Sequence, residues 1–203
     1  MAATLYFGSM IFPSTVAVVL AIVVRMLTTG ALHEDGLADF FDGFGGGGFD
    51  RQRVLDIMKD SRIGTYGVLA LVLYVLLLFF CLYSMPPRLA ALCIFAADPY
   101  SKMATSQLVM MMPYARTAEQ AKSKTVYRRP STAAGISLAV QGLLPMALLL
   151  WLTDVEWELV IFIPALTMYF LYLLIWRRLR GYTGDCCGAV CLLVELTVYL
   201  MAC

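Results

Sequence analysis

The run Val68 to Met85, VLALVLYVLLLFFCLYSM, passes 18 positions without a charged residue. As a helix it rises about 27 Å, close to the thickness of the hydrocarbon core of a bilayer. Met1 to Val24 is also free of charge. Every backbone amide and carbonyl in such a segment must be paired internally once water is gone, so helices are the expected solution. The composition agrees, with 61% hydrophobic and 14% charged residues and a mean hydropathy of +0.80, which is membrane usage rather than that of a soluble domain. A net charge of +1 excludes a bulk nucleic-acid or polyanion partner; in a membrane protein the placement of charge matters more than its sum.

Taken in order, the chain offers a first span from about Leu5 to Leu27, an acidic stretch at 33–43, and a charged segment from Phe49 to Arg62 that is too polar to cross. Val68–Met85 is the second span. The turn Pro86-Pro87-Arg88 leads into a third apolar region, Leu89 to Met112, interrupted by Asp98, Pro99, Ser101 and Lys102. That region reads either as a span facing the bundle interior or as two half-helices. Its ionisable pair points to function by default, against the plainer reading of an Asp98–Lys102 pair that only offsets its own cost. A basic connector with Arg116, Lys122, Lys124, Arg128 and Arg129 against Glu119 follows, then a fourth span, Ala133 to Leu152. An acidic turn with Asp154, Glu156 and Glu158 precedes the fifth, Leu159 to Trp176. Arg177, Arg178 and Arg180 close it, and Gly188 to Cys203 is a last apolar helix carrying Glu195. The expectation is an all-α, polytopic transmembrane helix bundle with about five to six membrane segments, forming one domain over 1–203. The basic connectors alternate with the proline and acidic turns, so the positive-inside rule puts them in the cytoplasm, with a polar site facing it from the inner membrane.

The acidic stretch is His33-Glu34-Asp35-Gly36-Leu37-Ala38-Asp39-Phe40-Phe41-Asp42-Gly43. If helical, it sets Asp35, Asp39 and Asp42 at i, i+4 and i+7, within roughly a 60° sector of one face. Like charges in a row cost stability unless a cation neutralises them, and carboxylates without cysteine or several histidines suit Mg²⁺ or Mn²⁺. The run Gly45 to Gly48 allows close approach of backbone to a ligand or positive φ. A solvated acidic loop between spans is the competing reading.

A second cluster, Lys59-Asp60-Ser61-Arg62-Ile63-Gly64-Thr65-Tyr66-Gly67, combines cations, a carboxylate and glycines just before a span. It suits a phosphate clamp beside a metal, or an ordinary juxtamembrane anchor. His33 is the only histidine, so it cannot be half of a two-histidine metal site; it serves either as general base to an attacking hydroxyl or to orient an aspartate. The six cysteines show no metal-type C-x-x-C spacing; Cys81, Cys93 and Cys203 read as small buried hydrophobes, and Cys186-Cys187 with Cys191 as structural, against a redox or metal role.

These blocks resemble the adenosylcobinamide-GDP ribazoletransferase family, the membrane cobalamin synthases. The hallmark Leu-His-x-Asp-Gly-Leu-Ala-Asp-x-x-Asp-Gly stands here as Leu32 to Gly43, and Ile-Met-Lys-Asp-Ser-Arg-x-Gly-x-x-Gly as Ile57 to Gly67. Tyr114-Ala115-Arg116, and Gly181-Tyr182-Thr183-Gly184-Asp185 with Gly188-Ala189 and Glu195, resemble further blocks. The family pattern usually begins a few dozen residues earlier with a Thr-Arg-Leu-Pro-like segment, so the chain is expected to be N-terminally short. A glutamine frequent in the last block is Leu192 here.

The resemblance implies a phosphotransfer in which a hydroxyl of α-ribazole, or of its 5′-phosphate, attacks the cobinamide-linked phosphorus of adenosylcobinamide-GDP and GMP leaves. Mg²⁺ is the implied cofactor, held by Asp35, Asp39 and Asp42. His33, Asp39 and Asp60 are the implied catalytic residues, and Lys59, Arg62, Arg116, Asp185 and Glu195 the substrate contacts. The expected partners are these substrates and membrane lipid, with no nucleic acid; self-association or a complex with other cobalamin-assembly enzymes is compatible. A phosphotransferase acting on a nucleotide-activated lipid alcohol is the nearest alternative, disfavoured because Asp39 stands where its core has Ala-Arg. A cation transporter is the other, disfavoured by the lack of an evident inverted repeat.

Overall fold

Pro13, Gly30 and Ala31 decide how the chain begins. In the computed structural model, which describes residues 1–116 and 131–203, the expected first span is two helices: α1 (Ala2–Gly8) and α2 (Ser14–Thr29). Pro13, at the N-cap of α2, has no N–H with which to extend the ladder from α1. At the far end of α2, Gly30 (φ +62°) and Ala31 (φ +53°) are both left-handed, and the chain turns by 88° into α3 (Leu32–Gly46). The acidic stretch is therefore helix, not loop.

Two short structures fix the start of the next span. In α4 (Arg51–Lys59), Asp50 accepts hydrogen bonds from the amides of Gln52 and Arg53, and Val54, Leu55 and Met58 form the buried face. Gly47 of the glycine run packs on Val54, Gly45 faces the Tyr66 ring, and Gly48 takes the positive φ (+59°) that such a run allows. Asp42 of α3 then accepts from the amides of Gly64 (2.6 Å) and Gly67 (2.9 Å) at the start of α5 (Thr65–Ser84). It satisfies donors that a helix start leaves orphaned.

After Pro86, α6 (Pro87–Met111) is continuous through Pro99. The expected interruption does not divide it: Pro99 is accommodated inside the helix, and the Ser101 hydroxyl donates to the Asp98 carbonyl at 2.9 Å. The chain continues with α7 (Thr132–Leu152), α8 (Trp157–Leu179) and α9 (Gly184–Ala202). Lys122, Lys124, Arg128, Arg129 and Glu119 of the basic connector lie outside the described residues.

Among the described residues four helices, α5, α7, α8 and α9, are long and apolar enough to cross a membrane, and α2 with α3 makes a fifth candidate as one bent span. The polar middle of α6 keeps it out of that set. Burial separates their roles: the apolar window of α9 is 61% buried, those of α5, α7 and α8 only 17–28%. Thus α9 is the central helix, with α3, α5, α6 and α8 packed around it and α7 against α6. Leucines and phenylalanines of the outer helices, among them Leu73, Phe80, Leu144 and Phe170, face outwards, the arrangement of a multi-pass membrane protein. Since lipid competes equally for apolar surface, helices associate there through close packing of small residues. Ala90, Ala97 and Ala104 recur every seven residues on the buried face of α6.

The tightest crossing joins α3 to α9. A Cβ added at Gly36 would lie 3.1 Å from the Asp185 carbonyl oxygen and 3.4 Å from the Gly188 Cα; one at Gly188 would lie 3.1 Å from the His33 carbonyl oxygen. The two glycines thus bring the N-terminal turns of both helices, with Asp35 and Asp185, side by side.

Candidate active site

The polar end of the bundle is tied together by arginines that donate to backbone carbonyls. Arg51 reaches the carbonyls of Leu179 (2.7 Å) and Ala115 (2.6 Å), Arg116 that of Leu55 (3.0 Å), and Arg178 that of Phe44 (2.8 Å). Arg178 also lies over the Phe49 ring, 4.9 Å from its centroid. The segments after α6 and before α9 are joined directly: Ala115 N–H donates to the Tyr182 carbonyl and Tyr182 N–H to the Pro113 carbonyl, at 2.8 and 3.0 Å. Gly181 permits this approach, since a Cβ there would sit 2.6 Å from the Pro113 oxygen. Thr183 caps α9 by accepting from the Cys186 amide.

Beneath this latch lies a cavity of about 400 Å³ between α3, α6 and α9. Asp35 and His33 of α3, Lys102 and Thr105 of α6, and Arg116 with Asp185 supply its polar wall. Arg116 is buried, with Nη2 4.0 Å from Asp185 Oδ2. Two carboxylates, two fixed or near cations and a hydroxyl converge here, the kit needed for a phosphate chain and a hard cation. His33 is half-buried, and its Nδ1 has no hydrogen-bond partner among the described residues.

Four of the residues expected from the sequence, His33, Asp35, Arg116 and Asp185, therefore share one cavity. The others stand elsewhere. Asp42 is buried at the start of α5, and Asp39, half-buried, lies between it and Asp35 on the same face of α3. From Asp35 to Asp42 the helix rises about 10 Å, and among the described residues no group of three or more His, Cys, Asp or Glu side chains is arranged to hold a metal. The cluster of Lys59, Asp60 and Arg62 does not line the cavity. Asp60 pairs with Arg62 at 2.7 Å, Arg62 being 87% exposed, and the hydrogen bonds from Arg62 hold the Asp60 carboxyl at about 2.

Glu195 lies in a different place from the one its expected role suggests. Deep in α9 it accepts two hydrogen bonds from Arg25 of α2, at 2.7 and 2.5 Å, and a third from Tyr199. Arg25 Nε is also 3.7 Å from Glu34 Oε1. This buried group forms part of the wall of a second cavity of about 390 Å³, with Thr28, Thr29, Asp98 and Lys102. The sequence places Arg25 only near a span exit, and offers Lys102 either as a functional group with Asp98 or as half of a pair that offsets its own cost. The one signal available for either was an ionisable residue within an apolar segment.

A family described as cobalamin-5-phosphate synthase matches the chain over residues 1–203. Among curated proteins, the adenosylcobinamide-GDP ribazoletransferase of Vibrio cholerae serotype O1 is 36% identical over 198 residues, covering 96% of this chain and 73% of that protein. The proteins of the same name from Vibrio parahaemolyticus and Shewanella amazonensis are each 38% identical, covering 96% and 97% of this chain and 72% and 75% of theirs. No solved structure matches it.

Proposed function

The chain belongs to the cobalamin-5-phosphate synthase family, and from that membership we propose that it transfers the adenosylcobinamide-phosphate moiety of adenosylcobinamide-GDP to α-ribazole, or to its 5′-phosphate, with release of GMP. The observation that carries this reading is the cavity that brings His33, Asp35, Arg116 and Asp185 together, each of them in a sequence block that carries the resemblance to the family pattern.

The donor set fits Mg²⁺. That ion takes one or two protein carboxylates and leaves its other positions to water and substrate phosphate, and Asp35 and Asp185 flank the Gly36–Gly188 crossing on one cavity wall. These two would hold it, with Asp39 next along the same face of α3. When bound, the ion would neutralise charge on the phosphate oxygens as the bond to GMP breaks.

The chain's own groups account for the rest. Arg116, immobilised by the Leu55 carbonyl, presents a fixed cation to the diphosphate, so little reorganisation is needed during transfer. Cavity walls from three helices would hold the donor's diphosphate near the acceptor and limit water, which would otherwise compete as nucleophile. The attacking oxygen belongs to the acceptor, and His33, which lines the same cavity with its Nδ1 unpartnered among the described residues, would accept its proton. The arginines of the latched end, with Asp154 and Glu156 in the opposite turn, favour a cytoplasm-facing site in the inner membrane.

The test is GMP release by detergent-solubilised protein given adenosylcobinamide-GDP and α-ribazole. Stoichiometric GMP and cobalamin support the transferase; no GMP with either acceptor, under conditions where a Vibrio relative is active, contradicts it.

A further inference from the structure

Among the described residues, Lys102 is the one shared by the walls of the two cavities. Its Nζ lies 2.7 Å from Asp98 Oδ2, one turn back on α6, and the two side chains are 47% and 40% exposed. One turn forward, Thr105 is buried in the wall of the first cavity, and its Oγ1 has no hydrogen-bond partner among the described residues. A buried hydroxyl without a partner costs free energy unless something fills its hydrogen bond. Here it sits beside a cation, in a cavity whose other cation, Arg116, is anchored to a backbone carbonyl.

We propose that Lys102 and Thr105 form a phosphate-binding pair for the donor's diphosphate, with Lys102 exchanging Asp98 for a phosphate oxygen as the donor enters. The inference rests on the transferase reading above and adds to it residues on α6. The exchange is inexpensive because a half-exposed i,i+4 pair contributes little. A diphosphate presents more charge and more acceptor oxygens than one carboxylate, and lysine is a mobile point charge on a flexible stem, suited to move between the two. Arg116 then grips from the loop side while Lys102 and Thr105 grip from α6. The Asp98 partnership keeps the ammonium paired when no donor is bound.

The experiment compares Lys102→Met, Lys102→Arg, Thr105→Val and Asp98→Asn in the solubilised full chain, measuring kcat and donor KM for GMP release and the inhibition constant of inorganic diphosphate. Lys102→Met is expected to lose about 100-fold in kcat/KM and to weaken diphosphate inhibition in parallel. Lys102→Arg should recover to within about tenfold of the native chain, which a purely structural lysine would not require. Thr105→Val should weaken diphosphate inhibition, and Asp98→Asn should leave the donor KM unchanged or lower it. Native kcat/KM and diphosphate inhibition in Lys102→Met overturn the pair. Should that variant fail to fold, a raised donor KM in Asp98→Asn overturns the exchange. If the native chain itself releases no GMP, the transferase reading fails separately. Diphosphate binding by calorimetry then decides for the pair, equal affinity in Lys102→Met, Thr105→Val and the native chain counting against it.

Discussion

Arg25 of α2 and Glu195 of α9, 170 residues apart, are joined by two hydrogen bonds in the buried interior of the bundle. Their pairing holds the sharply turned α2–α3 segment against the central helix, and Glu34 beside it extends the link to the first turn of α3. Breaking one partner leaves a buried charge uncompensated. Arg25→Met is therefore expected to destabilise the protein by about 3–5 kcal/mol, read as a lowered Tm in detergent. The double variant Arg25→Met, Glu195→Leu should regain most of it. Equal Tm values for the native chain and the single variant would remove the pair from the account.

Gly36 and Gly188 set the distance between Asp35 and Asp185. A bulky side chain at Gly36 meets backbone of α9, not a flexible side-chain tip. Gly36→Val should cost about 1–3 kcal/mol by overpacking and lower GMP release well beyond what unfolding explains. Activity per folded molecule, with the folded fraction measured by gel filtration, checks this.

The acidic face of α3 divides by function. Asp42 is occupied by the amides of Gly64 and Gly67, so Asp42→Ala is expected to lose about 1–2 kcal/mol, as removal of a helix cap does. The folded variant should keep its Mg²⁺ requirement. Asp39→Asn, by contrast, should abolish Mg²⁺-dependent GMP release while leaving membrane insertion intact. Thermal melts with Mg²⁺ titrations separate the two effects.

The outer spans were legible because their charge-free runs leave a helix no other solution. The acidic stretch was legible as a spacing, and once helical it did place its carboxylates on one face. Its environment was not legible: Asp35 faces a cavity and Asp42 a helix start, a difference set by α5 and α9, which lie far along the chain. Ala31 carries no sequence signal for its left-handed backbone, so the right-angled turn went unforeseen, whereas the division of the first span falls at Pro13. Pro99 suggested a break that the surrounding bundle absorbs. Arg25 and Glu195 each looked like a separate polar residue in an apolar helix, since nothing local reveals a partner 170 residues away. Lys59, Asp60 and Arg62 matched the family pattern strongly, yet they do not line the cavity.

The central claim is that the wall formed by Asp35 and Asp185 holds the cation that the transfer needs. The measurement that tests it most directly is the Mg²⁺ concentration for half-maximal GMP release in the native chain and in Asp185→Asn. The account predicts a dependence on Mg²⁺ in the native chain and a half-saturation point raised by well over 100-fold in the variant, beyond the roughly 10–100-fold that the loss of a secondary contact to a metal ligand produces. Superimposable curves would contradict it.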